Sequence, residues 1–163
     1  MGKLFLVSAC LVGINCKYNG KNNECDILVK AFKEGKVIPV CPEQLGGLPT
    51  PRPPAKIFGK DGRSVLKGEG KVFTVVGERL DVTENFLRGA KETLKLAKLL
   101  KGKIKACILK EKSPSCGVKK IYRFEEDSLK EGMGVTAALL EKEGFKIMSS
   151  EDIELIKKML REY

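Results

Sequence analysis

Histidine is absent from the 163 residues of this chain. Its absence excludes the Ser–His and Cys–His nucleophile pairs, histidine-ligated zinc sites and the commonest general base. Any acid–base chemistry must therefore come from carboxylates, lysines, tyrosines, hydroxyl groups or water.

Long apolar runs and nucleotide-binding motifs are also missing. No stretch approaches the roughly 18 apolar residues that would suggest a membrane span. The short apolar run at the N-terminus leads into Ser8, Ala9 and Cys10 and has no signal-peptide cleavage site. The sequence lacks both a G-x-G-x-x-G motif after its first apolar run and a P-loop, which disfavours a nucleotide-binding module. We therefore expect a cytoplasmic protein without membrane association.

Charge of one sign is in excess. The chain has 31 Lys and Arg against 21 Asp and Glu, a formal net charge of +10. This excess favours anionic partners such as tRNA, or it belongs to a lysine-rich solvated surface. The basic residues are scattered and only 6% of residues are aromatic, so the solvated surface is favoured. Contact with tRNA stays open as the alternative.

Short apolar runs alternate with amphipathic segments along the chain. This pattern predicts a single Rossmann-like α/β domain over residues 1–163, with a small, mainly parallel sheet flanked by helices. Strands are predicted at 3–8, 37–40, 104–109 and 145–148, and helices at 22–33, 81–100, 134–143 and after Ser150. Residues 57–79 predict a hairpin-like insertion, and residues 110–131 predict a loop.

Three of the six cysteines lie at or just beyond the ends of predicted strands. They are Cys10, Cys41 and Cys116. In an open α/β sheet the loops beyond the strand ends converge on one crevice, where ligands bind. Thiolates are the usual ligands of iron–sulfur clusters, so the spacing predicts a metal or cluster site. Burial as ordinary core thiols is the alternative for each cysteine taken alone.

The other three cysteines are weaker candidates for ligands. Cys107 lies inside a predicted strand and Cys25 in a predicted helix, so packing explains both. Cys16 is close to Cys10 in sequence, and a loop can bring both to one metal. Cys16 is therefore the main rival for a ligand position, or a redox partner.

Polar residues with useful chemistry flank two of the strand-end cysteines. Glu43, two positions after the second of them, can exchange protons with an attacking water. Arg52, between two prolines, can hold an anion or a carbonyl oxygen in a rigid geometry. Ser113 and Ser115 precede the third cysteine and can donate hydrogen bonds to substrate, sulfur or water. An ordinary surface or turn role is the alternative for each of the four.

Four ordered motifs give the chain a family resemblance. SACLVGINCKYNG, GKVIPVCPEQLGGLPTPRPPAKI, ILKEKSPSCG and GVTAALLEKEG closely resemble the thiouracil desulfidase family, over about residues 3–151. The resemblance implies a Rossmann-like α/β domain that holds a [4Fe–4S] cluster through three cysteines. On this sequence those ligands fall on Cys10, Cys41 and Cys116. The catalytic acidic residue falls on Glu43, and the catalytic serine on Ser113 or Ser115, with Ser113 favoured.

The same resemblance implies a non-redox cleavage of a carbon–sulfur bond. A 2-thiouracil-like base binds the open iron of the cluster through its sulfur, because thiolate-bound iron favours sulfur ligands. Water activated by Glu43 then adds to the carbon, giving uracil and sulfide. Two alternatives remain: a desulfidase for thiolated nucleosides or tRNA bases, and a non-catalytic carrier of metal or sulfur.

Overall fold

A four-stranded parallel sheet forms the centre of the fold. The computed structural model describes residues 3–162. Its strands are β1 (Leu4–Ser8), β2 (Val37–Val40), β3 (Ala55–Phe58), β4 (Lys71–Thr74), β5 (Ile104–Leu109), β6 (Lys120–Tyr122), β7 (Leu129–Glu131) and β8 (Ile147–Ser149). Its helices are α1 (Asp26–Lys33), α2 (Pro42–Leu45), α3 (Gly62–Leu66), α4 (Thr83–Leu99), α5 (Val135–Lys142) and α6 (Ile153–Glu162). The central sheet has the order β2-β1-β5-β8, and all its pairings are parallel.

The carboxyl ends of the central strands lie at one edge of the sheet. Ser8 at the end of β1 pairs with Val40 at the end of β2. Leu109 at the end of β5 pairs with Ser149 at the end of β8. The segments that follow β1, β2 and β5 therefore emerge beside each other, as expected for the ligand-binding edge of an open parallel sheet.

Alternation of side chains along β1 divides the core between the two faces of the sheet. Phe5 and Val7 face one cluster of buried side chains, which includes Leu28 of α1 and Ile156 of α6. Leu6 faces the other cluster, which receives side chains from α4 and α5. Both faces are covered by helices, which explains why the central strands read as nearly continuous apolar runs.

Two antiparallel hairpins pack beside this central layer. β3 pairs with β4, and α3 lies in the connection between them; β6 pairs with β7. A third buried cluster joins the hairpins to the long helices and includes Ile57, Val72, Phe86, Ile121 and Val135. The hairpins are thereby fixed against α4 and α5 by apolar contacts.

The structure confirms the predicted α/β class, the four strands of the parallel sheet and the hairpin-like insertion. Several details differ from the prediction. The last strand of the sheet is Ile147–Ser149 rather than 145–148, and the short helix α2 was not predicted. The first helix begins at Asp26 rather than at residue 22, and the loop predicted at 110–131 contains the β6–β7 hairpin. These two strands have three residues each and carry several charges, so they give no apolar run. No helix within residues 3–162 is long and apolar enough to cross a membrane.

Candidate active site

Cys10 lies in a short 3₁₀ helix, Ala9–Val12, directly after β1. Its thiol is buried and accepts a hydrogen bond from Asn23 Nδ2 at 3.6 Å. The Cys10 carbonyl also accepts the backbone N–H of Asn23 at 2.9 Å. Asn23 therefore fixes both the backbone and the sulfur of this first strand-end cysteine.

Cys41 links the end of β2 to the first turn of α2. It is half-buried, and its Sγ lies 3.7 Å from the carbonyl oxygen of Cys16. Pro42 occupies the first helical position, where its fixed φ suits the start of a helix and its missing N–H costs nothing. This start places Glu43 one residue further along the same turn.

Cys116 lies in the loop after β5, and hydrogen bonds hold this loop on both of its sides. Its backbone N–H donates to Ser113 Oγ at 3.1 Å, and its buried thiol contacts the hydroxyls of Ser8 and Ser115. Two residues before Cys116, the carbonyl of Pro114 accepts a hydrogen bond from the N–H of Val135 at 2.8 Å. The N-terminus of α5 therefore holds the loop through otherwise unpaired helix donors.

Glu111 is buried beneath the same loop and binds its backbone. Its carboxylate is only 2% exposed, and Oε1 accepts the backbone N–H groups of Val118, Lys119 and Lys120 at 2.8, 2.9 and 3.1 Å. No partner with hydrogen-bond geometry contacts Oε2 within residues 3–162. A buried carboxylate that collects several N–H groups fixes the path of the backbone that carries Cys116.

The three strand-end cysteines lie near one another. The Cys116 thiol lies close enough to interact electrostatically with the sulfurs of both Cys10 and Cys41, which also interact with each other. Among the described residues, no three His, Cys, Asp or Glu side chains converge on the position of a single metal ion. Cysteine thiolates are the usual ligands of iron–sulfur clusters.

Cys16 also belongs to this group. Its thiol is 3% exposed and makes side-chain hydrogen bonds with the thiols of Cys10 and Cys41. The hydrogen bond from Cys16 lowers the pKa of Cys10 to about 7 and that of Cys41 to about 6. The same bonds raise the pKa of Cys16, which stays a neutral donor. Cys10 and Cys41 therefore lose their protons more readily than an ordinary cysteine.

The remaining cysteines behave differently. Burial raises the pKa of Cys116 to about 12, so binding of a metal by this thiol would release a proton. Burial also raises the pKa of Cys107 to about 12, and this residue lies in the core beneath α4 and α5. Cys25 packs against the buried cluster on the opposite face. Packing therefore accounts for Cys25 and Cys107, in agreement with the sequence prediction.

A chain of hydrogen bonds connects Glu43 to both serines. Ser115 Oγ donates to Glu43 Oε2 at 2.8 Å and lies 2.9 Å from Ser113 Oγ. Because the single hydroxyl hydrogen of Ser115 goes to Glu43, Ser113 must be the donor in its contact with Ser115. Ser115 also lies 3.8 Å from the sulfur of Cys116. Ser113, Ser115 and Glu43 thus form a hydrogen-bonded line, and its middle residue lies beside Cys116.

Arg52 holds the other oxygen of Glu43. Its Nε donates to Glu43 Oε1 at 3.0 Å, and the side chains of Arg52 and Glu43 are only 5% and 16% exposed. Its Nη1 donates to Pro49 O and Thr50 Oγ1, and its Nη2 donates to the carbonyl of Cys16 at 2.8 Å. These bonds use four of the five N–H groups of the guanidinium. Arg52 therefore joins Glu43 rigidly to the segment that carries Cys16.

A cavity of about 180 Å³ lies against the Glu43–Arg52 pair. Its other walls are largely apolar and include Leu48, Leu80 and Val82. The volume is below the roughly 300 Å³ at which pockets for drug-sized ligands begin. The volume is that of a single ring, and Glu43 and Arg52 are the charged residues that line it, with no cysteine among the described lining residues.

The sequence pattern of the 2-thiouracil desulfurase family matches residues 5–152. The chain belongs to this family. YbbK of Bacillus subtilis, an uncharacterised protein, is 45% identical over 151 residues, which cover 92% of this chain and 97% of YbbK. Among solved structures, the [4Fe–4S]-dependent thiouracil desulfidase TudS is similar in fold. It has a TM-score of 0.81 and 38% identity, and the match covers 100% of both chains.

Membership of the 2-thiouracil desulfurase family confirms the resemblance that the four motifs predicted. Sequence reasoning missed three residues that the structure places around the cysteines: Ser8, Asn23 and Glu111. Ser8 offered a signal, because it ends β1 within the same motif as Cys10. Lys110 also lies close to Cys10, and burial lowers its pKa.

Proposed function

We propose that this protein is an iron–sulfur-dependent desulfidase that removes sulfur from a thiolated pyrimidine, giving uracil and sulfide from 2-thiouracil. One observation carries the proposal. Glu43, two residues after Cys41, shares a 2.8 Å hydrogen bond with Ser115, the residue directly before Cys116. A proton-transfer pair therefore lies between two candidate cluster ligands. Its family and the [4Fe–4S]-dependent TudS structure support the same chemistry.

Cys10, Cys41 and Cys116 are the residues that would hold a [4Fe–4S] cluster. Their positions at neighbouring strand ends and the lowered pKa values of Cys10 and Cys41 fit a cluster with three protein ligands. When bound, the cluster supplies a Lewis-acidic iron for the soft sulfur of the substrate. All proton transfers are left to the side chains of the protein.

Glu43 is the general base in this mechanism. Its carboxylate takes a proton from the attacking water and returns it to the departing sulfur. Ser115 donates to the carboxylate, and Ser113 donates to Ser115, so the line orients Glu43 and passes protons along it. Arg52 fixes the second carboxylate oxygen, and its remaining N–H group contacts the substrate. The reaction needs no external oxidant or reductant.

The free base is the substrate that the cavity favours. A space of about 180 Å³ beside Glu43 accommodates a pyrimidine ring without a ribose. Thiolated nucleosides or tRNA bases are the second candidate, and the net charge of +10 favours them. Comparison of 2-thiouracil, 2-thiouridine and thiolated tRNA at several salt concentrations separates the two. The free base should react fastest and show the weakest dependence on salt.

The decisive experiment is anaerobic reconstitution with iron and sulfide, followed by visible and EPR spectroscopy and a sulfide assay with 2-thiouracil. We expect a cluster spectrum and stoichiometric uracil and sulfide. Cys10→Ala, Cys41→Ala and Cys116→Ala should each lose the cluster and the activity, whereas Cys25→Ala should keep both.

Glu43→Gln separates catalysis from mere binding of metal or sulfur. It should keep the cluster and lower kcat by about 10²–10⁴-fold, the usual contribution of a general base. Unchanged turnover in Glu43→Gln would exclude this carboxylate as the base. A cluster without any turnover in the wild-type protein would instead indicate a carrier of metal or sulfur.

A further inference from the structure

One thiol at the site has no place in the proposed reaction. Cys16 is buried, and its thiol contacts the thiols of both Cys10 and Cys41. The proposed cluster has three protein ligands, Cys10, Cys41 and Cys116. Cys16 is not one of them. When the cluster is lost, a spare thiol therefore remains in contact with two former ligands.

Cys41 is the ligand that an oxidant reaches first. Cys41 is half-buried, whereas Cys10, Cys16 and Cys116 are all buried. The susceptibility of a thiol to oxidation rises with its exposure. Peroxide that enters the site should therefore react at Cys41, and the resulting sulfenic acid would have Cys16 beside it.

Contacts of the backbone hold Cys16 and Cys41 together. Cys41 Sγ lies 3.7 Å from the carbonyl oxygen of Cys16, and Arg52 Nη2 anchors the same carbonyl at 2.8 Å. The Cys41 sulfur is therefore held beside the residue that carries the Cys16 thiol, and a disulfide requires the two sulfurs to approach to about 2.0 Å. Cys10 is the less suitable partner, because its sulfur is buried and held by Asn23.

We infer that Cys16 is a resolving cysteine that forms a reversible disulfide with Cys41 when peroxide has destroyed the cluster. In the first step, the Cys41 thiol and one hydrogen peroxide give the sulfenic acid and one water. In the second step, the Cys16 sulfur attacks the sulfenic sulfur, a sulfur–sulfur bond forms, the sulfur–oxygen bond breaks, and the hydroxyl group leaves as water with the proton of the Cys16 thiol. Two thiols are oxidised and one peroxide is reduced, so atoms and electrons balance.

The disulfide has two consequences for the protein. It stops Cys41 short of the irreversible sulfinic and sulfonic acids. It also removes one ligand, so the oxidised protein cannot take up a cluster until a thiol reductant has opened the bond. Cys16 thus links rebuilding of the cluster to the return of reducing conditions.

The test uses the full chain in its cluster-loaded form and measures mass rather than activity. The protein is treated with hydrogen peroxide until the visible absorption of the cluster disappears, and catalase removes the excess. Alkylation and peptide mapping then identify the oxidised cysteines. Two of the six cysteines should resist alkylation, a Cys16–Cys41 linked peptide should appear, and dithiothreitol should restore both thiols. Reconstitution with iron and sulfide should succeed only after that reduction.

Cys16→Ser supplies the matched comparison and Cys25→Ser the control. Cys16→Ser should give no linked peptide and should accumulate sulfinic acid at Cys41, which dithiothreitol does not reverse. Cys25→Ser should behave like the wild-type protein. Sulfinic acid at Cys41 of the wild type with Cys16 fully alkylated would overturn the inference, and so would a linked peptide that joins Cys10 to Cys16. Both results are independent of desulfidase turnover.

Discussion

Ser115 lies between Glu43 and Cys116 and contacts both side chains. Its hydroxyl donates to Glu43 Oε2 at 2.8 Å and lies 3.8 Å from the sulfur of Cys116. Ser113 has a different set of contacts, because its oxygen accepts the backbone N–H groups of Ser115 and Cys116 at 3.1 Å each. Ser115 therefore contacts the carboxylate of Glu43, whereas the contacts of Ser113 with the backbone shape the loop.

Ser115→Ala should lower kcat for 2-thiouracil by about 10²-fold or more and leave the cluster in place, because Glu43 loses its hydrogen-bonded partner. Ser113→Ala should reduce the amount of cluster retained per protein, because two backbone N–H groups near Cys116 lose their acceptor. Anaerobic kinetics with iron and sulfide analysis measures both effects. Full activity in Ser115→Ala, with reduced kcat and full cluster content in Ser113→Ala, would assign the catalytic role to Ser113.

At the scale of elements, the loop between β5 and β6 depends on Glu111. Burial alone would raise the pKa of this carboxyl, but the nearby Ser149 side chain and the hydrogen bonds from the backbone N–H groups of Lys119, Lys120 and Val118 outweigh it, and the pKa is lowered. A depressed pKa means that the ionised group stabilises the native state above its unfolded pKa of about 4.3. This stabilisation is lost as the pH falls through the lower, native-state pKa.

Glu111→Ala should reduce the free energy of unfolding by about 1–3 kcal/mol or more, because buried N–H groups lose their acceptor. Glu111→Gln should be less damaging and should show a weaker fall in stability below about pH 4.3 than the wild type. Denaturant unfolding across an acidic pH series measures both variants. Identical pH profiles for Glu111→Gln and wild type would contradict this role.

The packing of α2 on α4 determines where Glu43 lies. Gly89 of α4 faces the carbonyl of Pro42 so closely that no Cβ fits between them. Asn85 Nδ2 donates to the carbonyl of Gly46 at 2.9 Å and holds the other end of α2. The absence of a side chain at Gly89 therefore sets the distance between α2 and the rest of the site.

Gly89→Ala should push α2 away from α4 and displace Glu43 from Ser115. We expect a cost of about 1–3 kcal/mol from overpacking and a fall in kcat larger than the change in KM. Lys91→Ala, at an exposed position of the same helix, is the control and should change neither quantity. Steady-state kinetics and thermal unfolding measure the two effects, and wild-type kcat in Gly89→Ala would refute the coupling.

The sequence predicted the parts of this site that local patterns encode. Apolar runs located β1, β2 and β5, and the strand-end positions then singled out Cys10, Cys41 and Cys116. The pairing of Arg52 with Glu43 was not predicted, since a lone arginine between prolines gives no sign of its partner. Contacts such as Ser115 with Glu43 join residues 72 positions apart, and only the folded chain brings them together.

For the molecule as a whole, a bound cluster should act as a cross-link between three connections of the sheet. A ligand that binds only the native state stabilises it by mass action. Removal of iron with a chelator under anaerobic conditions should therefore lower the midpoint of thermal unfolding. A drop of about 5–10 °C corresponds to a ligand present at about 100 times its Kd in a protein of this size.

The same chelation applied to variants tests the cross-link. Cys41→Ala should already have the lower midpoint and should not respond to the chelator, whereas Cys25→Ser should respond like the wild type. Differential scanning fluorimetry under nitrogen measures the midpoints. A midpoint that chelation leaves unchanged in the wild type would rule out a stabilising role for the cluster.

The order of the central sheet, β2-β1-β5-β8, also has a consequence for synthesis of the protein on the ribosome. Cys10 and Cys41 are made early, but Cys116 follows β5, and β5 is the strand that pairs with β1 on its other side. A nascent chain that ends before residue 116 therefore carries only two of the three proposed ligands. Assembly of the metal centre must wait until more than two thirds of the chain has been translated.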